Sequence, residues 1–104
     1  MIRIALGDLP VSPLAASALV LREHLAEIEA ALARADVMIA LPPADHTHRE
    51  WRRALAAMLA RAHTPRRSNV VAGEGAALDA VARYLAGAPG ITGQYFETDG
   101  LGAG

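Results

Sequence analysis

The chain alternates four short segments that read as strands with three longer segments of helical periodicity, and this order constrains the fold more than any other feature. The strand segments are residues 2–6, which alternate apolar and polar, 37–41, which are apolar throughout, 69–72 and 94–98. The helical segments between them are residues 12–34, 47–64 and 75–87. Strands that are separated by one helix each imply right-handed crossovers and a parallel sheet. The sequence therefore predicts an α/β fold of order β-α-β-α-β-α-β, with four mostly parallel strands and three helices in a three-layer sandwich.

Local signals mark where these segments begin and end. Ser12 precedes Pro13, and a serine oxygen accepts from a free amide of a first helical turn in which proline is tolerated. Thr47 and Glu50 have the spacing of a capping box, which predicts the start of the second helix. Pro65 then ends that helix, because proline lacks the amide that the helix needs.

The helical spacing of large apolar residues predicts one buried face for each helix. These faces are Leu21, Leu25, Ile28 and Leu32 on the first helix, Trp51, Leu55, Met58 and Leu59 on the second, and Leu78, Val81 and Leu85 on the third. In the last strand, Tyr95 and Phe96 are neighbours and are expected on opposite faces of the sheet.

Length and composition exclude several classes of protein. The 104 residues are enough for a single domain, residues 1–104, with one modest core. The chain has no cysteine, which excludes disulfides and thiolate chemistry and is compatible with the cytoplasm. A net charge of −1 provides no field that would attract nucleic acid or an anionic membrane, and no segment is long enough to span a bilayer.

The C-terminal third contains the motif Ala-Pro-Gly-Ile-Thr-Gly-Gln at residues 88–94 and the pair Asp99 and Gly100. Through these residues it closely resembles the final helix and strand of short-chain dehydrogenases/reductases. Residues 54–72 are similar to the family's helix that starts at the catalytic lysine and to the strand that follows it. Residues 2–41 match through the order of elements. The chain thus looks like a truncated, degenerate homologue that corresponds to the second half of a Rossmann-like domain.

The resemblance also implies where the catalytic residues of that family would fall. The lysine falls near Arg49, the tyrosine near Asp45, and the serine near Leu41 or Pro42, so none of the three identities is retained. Hydride transfer in the family needs that phenol, cation and hydroxyl. The glycine-rich cofactor turn is missing as well, so we expect no bound cofactor and lean against enzymatic activity.

The same resemblance implies surfaces for assembly. In the family, the helices matched by residues 19–34 and 49–63 form a four-helix dimer contact, and the last helix and strand form another. Alanines that would permit close helix approach are Ala26, Ala30, Ala33, Ala54, Ala57 and Ala60. Strand 2–6 would have an unpaired edge, to be covered by a second copy, by a partner or by residues 9–14. We predict a non-catalytic subunit that forms a homodimer, a higher homo-oligomer or a complex with a full-length dehydrogenase relative, with no nucleic-acid or membrane partner.

The alternative is a small ligand-binding protein or enzyme that uses the loop at the C-terminal ends of the strands. Asp45, His46, His48 and Arg49 are the weak candidates for such a site. The two histidines would bind a metal with His63, or Arg49 and Arg52 would bind an anion at the helix N-terminus. The favoured interpretation is that these residues cap a helix in solvent, without a metal. The arginines of the second half, which are Arg49, Arg52, Arg53, Arg61, Arg66 and Arg67, are expected on solvated surfaces.

Overall fold

A computed structural model describes residues 1–98 and shows one sheet of four parallel strands. The strands are β1 (Ile2–Ala5), β2 (Val37–Leu41), β3 (Ser68–Ala72) and β4 (Tyr95–Glu97), in the spatial order β1-β2-β3-β4. The register aligns Ile4 with Ile39, Ile39 with Val70, and Val70 with Tyr95. The predicted α/β class and the parallel pairing of four strands are confirmed.

The described residues form four α-helices rather than the three that the sequence predicts. They are α1 (Pro13–Glu23), α2 (Leu25–Leu32), α3 (Arg49–Ala62) and α4 (Gly75–Ala86), and a short 3-10 turn, His46–His48, precedes α3. The first predicted helix is divided at His24, whose φ of −123° and ψ of −12° lie outside the helical range. The bend lets α1 bury Ala16 and Val20 while α2 buries Ile28 and Leu32.

Two residues of the predicted helical faces lie on the surface instead. Leu21 is exposed because the buried face of α1 consists of Ala16 and Val20. Met58 is exposed because the buried face of α3 consists of Arg52, Leu55, Ala56 and Leu59. The predicted positions of Leu21 and Met58 are therefore wrong.

The helices cover the two faces of the sheet unequally. Helices α1, α2 and α3 pack on one face, where Val20, Ile28 and Leu59 meet side chains of β1, β2 and β3. Helix α4 alone covers the other face, over Met38, Val71 and Phe96. Both faces of β2 and β3 are buried, as the continuous apolar sequence of β2 and residues 70–72 of β3 predict. Tyr95 packs on the first face and Phe96 on the second, which confirms their predicted placement.

The outer edge of β1 has no strand partner within residues 1–98. The Ile2 amide donates to the Asp36 carbonyl, and the Leu6 amide donates to the Ala40 carbonyl. Since backbone groups alternate in direction along a strand, those of Arg3 and Ala5 point towards the open edge. Residues 9–14 do not add a strand there; Leu9 packs on the first core instead. None of the described helices has the length and apolar character needed to cross a bilayer.

An ion pair inside the fold joins Arg67, the residue before β3, to Asp36, the residue before β2. Both the amide and the Nε of Arg67 donate to the Asp36 carboxylate at 2.8 Å. Its Nη1 donates to the carbonyls of Leu85, in the last turn of α4, and of Ala88, just beyond that helix. The Arg67 side chain is only 17% exposed. It is therefore a structural residue and not part of the solvated surface on which it was predicted.

Candidate functional site

A cavity of about 230 Å³ lies beyond the C-terminal ends of β1 and β2. Ligands of open α/β sheets commonly bind at this end of the strands. The cavity is lined by Leu9, Pro10, Val11, Pro42, Pro43, Ala44, Asp45, His48 and Arg52. Two of the four predicted site residues, Asp45 and His48, contribute to its wall, while His46 and Arg49 do not.

Asp45 caps the 3-10 turn that leads into α3. Its carboxylate accepts a hydrogen bond from the Thr47 amide at 2.9 Å and another from the Thr47 hydroxyl. These hydrogen bonds, the one from the hydroxyl first, lower the pKa of Asp45 below its usual value of 3.8, so the carboxylate is ionised near neutral pH. The predicted capping box of Thr47 and Glu50 is wrong, because Thr47 donates to Asp45 rather than accepting from the first turn of α3.

His48 is buried and both of its ring nitrogens are engaged. The indole Nε1 of Trp51 donates to Nδ1 at 3.0 Å, and Nε2 contacts the carbonyl oxygen of Val11 at 2.9 Å. An indole N–H only donates and a carbonyl only accepts, so these partners match the neutral tautomer with its proton on Nε2. His48 thus fastens the loop after β1 to α3, and neither nitrogen is free to bind a metal in this arrangement.

The remaining candidates are dispersed. Arg49 donates from Nε to Glu97 at 2.8 Å, in the wall of a separate cleft of about 540 Å³ between α3 and β4. His46 is exposed. His63 lies at the other end of α3 and contacts Glu29 at 2.7 Å, so it does not join the other two histidines. Within residues 1–98, no three His, Cys, Asp or Glu residues are close enough together to hold one metal ion.

Arg52 is the polar residue of this cavity whose burial the sequence prediction missed. It is 1% exposed, and its Nη1 donates to the Pro42 carbonyl at 2.8 Å and to the Tyr95 hydroxyl at 3.3 Å. Its Nε is buried and has no hydrogen-bond partner among the described residues. The placement on a solvated surface is wrong. The helical period indicates its burial, because it places Arg52 on the same face of α3 as Leu55, Ala56 and Leu59.

A dinucleotide cofactor, which the resemblance implies, does not fit the glycines of this chain. Gly7 is followed by residues 8–12, which form neither helix nor strand, and the first turn of α1 is already occupied by Pro13 and by the Ser12 side chain, which accepts from the Ala15 amide. Gly73 packs so closely against the Thr98 side chain that a Cβ atom would overlap it. Neither glycine therefore offers the open turn that lets a pyrophosphate approach a helix N-terminus.

Comparison with known proteins identifies a family. A family model described as short chain dehydrogenase-like protein, SDR-like, matches residues 4–98 of the 104. The matched region includes all four strands except the first residues of β1 and confirms the resemblance found in the sequence. No curated protein and no solved structure matches the chain.

Proposed function

We propose that this chain, which belongs to the SDR-like family of short chain dehydrogenase-like proteins, acts as a non-catalytic subunit. It pairs with a second copy through α1 and α3. The observation that carries the proposal is an apolar surface on these two helices, formed by Leu14, Leu21, Trp51, Ala54 and Met58. We call this surface the α1–α3 face.

Both protruding and recessed apolar groups belong to the α1–α3 face. Leu14 is 81% exposed and Met58 is 52% exposed, whereas Trp51 is only half-buried at the floor between the helices. A groove of about 120 Å³ separates α1 from α3 and is lined almost entirely by apolar side chains. Contiguous exposed apolar side chains of this kind mark sites of association.

A second copy is the occupant that this shape favours. One surface that holds both protruding side chains and a groove is suited to a two-fold contact, in which the same patch serves both partners. The net charge of −1 gives little repulsion between two copies. The resemblance assigns α3 to the family's dimer contact, together with residues 19–34, which form the end of α1 and all of α2.

The catalytic positions support the non-catalytic part of the proposal. Asp45 and Arg49, at the positions expected for the tyrosine and the lysine, are engaged with Thr47 and Glu97. Neither supplies the phenol that would act as general acid and base in hydride transfer. We expect no turnover of a carbonyl compound by the purified chain with a nicotinamide coenzyme, and reproducible turnover would refute this part.

Sedimentation tests the assembly. The protein is expected at twice its monomer mass of 10.9 kDa, and Leu14→Glu is expected to shift it to the monomer. In a two-fold dimer the substitution acts twice, and at about 1.5 kcal/mol for each lost apolar contact the dissociation constant would rise at least about 100-fold. The matched control is Ala80→Glu, on the exposed surface of α4, which should leave the dimer intact.

The other outcomes decide between partners. A wild-type protein that is monomeric alone and binds a full-length dehydrogenase relative would replace the second copy by that relative. A monomer that binds neither would refute the assembly proposal.

We propose a cytoplasmic location, which the lack of cysteine supports. A ligand site on the loop formed by Asp45, His46, His48 and Arg49 stays a hypothesis, and the structural contacts of Asp45, His48 and Arg49 give it little support.

A further inference from the structure

We propose that Arg52 anchors a binding site for a small organic carboxylate in the cavity beyond the C-terminal ends of β1 and β2. The inference does not depend on the proposed function, because it concerns the interior side of α3 and not the α1–α3 face. The observation behind it is a buried guanidinium that has neutral partners only.

No carboxylate of residues 1–98 lies within 4.0 Å of Arg52, whereas Arg3, Arg22, Arg49 and Arg67 each have one. Its hydrogen bonds go to the neutral Pro42 carbonyl and Tyr95 hydroxyl. Buried charges are otherwise paired or coordinated, since transfer of an isolated charge out of water is costly. Among the described arginines that have no carboxylate partner, Arg52 is the one that is buried, so water cannot compensate its charge.

The cavity gives an anion a way to this charge. Arg52 forms part of its wall, and Nη2 has no hydrogen bond to any described residue. The two N–H donors of Nη2 can give charge-assisted hydrogen bonds to a carboxylate, whereas Nε is buried and Nη1 already donates to Pro42 and Tyr95. The volume of about 230 Å³ admits a small molecule.

The rest of the wall favours an organic anion over inorganic phosphate. Leu9, Pro10, Val11 and Pro43 supply an apolar lining that suits a hydrocarbon body. Asp45, whose lowered pKa keeps it ionised, also lines the cavity and repels a dianion more than a monoanion. A carboxylate with a short apolar chain satisfies both conditions.

Trp51 makes the proposal measurable in the intact protein. It is the only tryptophan, and its ring centroid lies 5.3 Å from Cζ of Arg52. Titration with butyrate at constant ionic strength is expected to change the Trp51 fluorescence with saturation at millimolar concentration. At a ligand concentration 100 times the Kd, the Tm is expected to rise by about 13 °C.

Two variants and two other probes give the controls. Arg52→Met is expected to weaken butyrate binding at least tenfold, whereas Arg53→Met, at the exposed neighbour that lines the other cleft, stays within twofold. If Arg52→Met does not fold, Arg52→Lys, which keeps the charge but loses the planar donors, is expected to bind at least fivefold more weakly. Butyramide, the neutral analogue, is expected to give no saturating response. Leu14→Glu should keep the butyrate response, which separates this site from the assembly.

Several results would overturn the inference. A butyramide response equal to that of butyrate would remove charge recognition, and unchanged butyrate binding by Arg52→Met or Arg52→Lys would remove the role of Arg52. Absence of any saturating change up to 100 times the expected millimolar Kd would show that the guanidinium serves only Pro42 and Tyr95. Tighter binding of inorganic phosphate than of butyrate would overturn the assignment to a carboxylate.

Discussion

Asp36→Asn is expected to destabilise the protein because it disrupts the ion pair with Arg67. The wild-type carboxylate accepts from the Arg67 amide through one oxygen and from the Arg67 Nε through the other, both at 2.8 Å. An asparagine retains one acceptor but places an amide NH2 against the second donor. Arg67 also donates to the carbonyls of Leu85 and Ala88, so a displaced guanidinium would loosen the end of α4.

The magnitude follows from the burial of the pair. Asp36 and Arg67 are 28% and 17% exposed, so the hydrogen bonds are only partly screened by solvent. Loss of one charge-assisted hydrogen bond and weakening of the other are expected to cost about 2 kcal/mol of the free energy of unfolding. For a domain of 104 residues this corresponds to a fall in Tm of roughly 10 °C.

The pH dependence of this difference has a definite sign. Burial raises the pKa of Asp36, but the hydrogen bonds from the Arg67 amide and guanidinium more than offset this, and the pKa lies below the usual 3.8. A carboxyl group whose pKa is lowered by folding stabilises the protein above its unfolded pKa. That contribution is lost as the pH falls through the lowered pKa. The gap between wild type and Asp36→Asn should therefore be constant from pH 7 to about pH 4 and should narrow below it.

Urea denaturation at fixed protein concentration and several pH values measures this difference. The matched control is Asp79→Asn, since Asp79 pairs with Arg3 at 2.9 Å but is 54% exposed, and its loss should change the free energy of unfolding by less than about 0.5 kcal/mol. Equal losses in the two variants would refute the reasoning from burial. A gap that persists unchanged at pH 2 would refute the role of the charge.

Two further substitutions test the packing around the site. Gly93→Ala is expected to lower the free energy of unfolding, measured by urea denaturation, by about 1–2 kcal/mol. Gly93 has a φ of +73°, and an added Cβ would lie 3.3 Å from Cβ of Ala60. Gly90 has open space around it, so Gly90→Ala should be close to neutral. His48→Ala is expected to cost about 2 kcal/mol through its two lost hydrogen bonds, and His46→Ala, at an exposed side chain, should stay within about 0.5 kcal/mol of wild type. Equal effects within either pair would contradict the corresponding contact.

The sheet was predictable because the residue types within a buried strand already indicate its burial. Residues 37–41 are apolar without interruption, and such a segment suits a strand covered on both faces. The bend at His24 was not predictable, since neither glycine nor proline interrupts the helical period there. It depends on how α1 and α2 each fit the sheet. The pairing of Asp36 with Arg67, 31 residues apart, likewise exists only once β2 and β3 are neighbours.

The candidate site was predictable in place but not in composition. The loop after β2 lies at the expected end of the sheet, but Asp45 was assigned a chemical role although it competes with Thr47 for the capping position. Both residues fit a cap by spacing, and only the 3-10 turn decides between them. Arg52 was misplaced because arginine is rarely buried without an acidic partner. Its helical position beside Leu55 and Leu59 pointed inward and should have outweighed its residue type.

One helix connects the two proposals, since different sides of α3 serve each of them. Met58 and Trp51 contribute to the α1–α3 face, whereas Arg52 on the adjacent side reaches the cavity and is covered by the Trp51 ring. His48, at the N-terminal end of α3, holds the indole in place and also fixes the loop that forms the opposite cavity wall. A contact that moves Trp51 would therefore affect both the α1–α3 face and the cavity. Measurements of carboxylate binding and of assembly should consequently be made at matched protein concentrations, so that a Trp51 signal from one process is not attributed to the other.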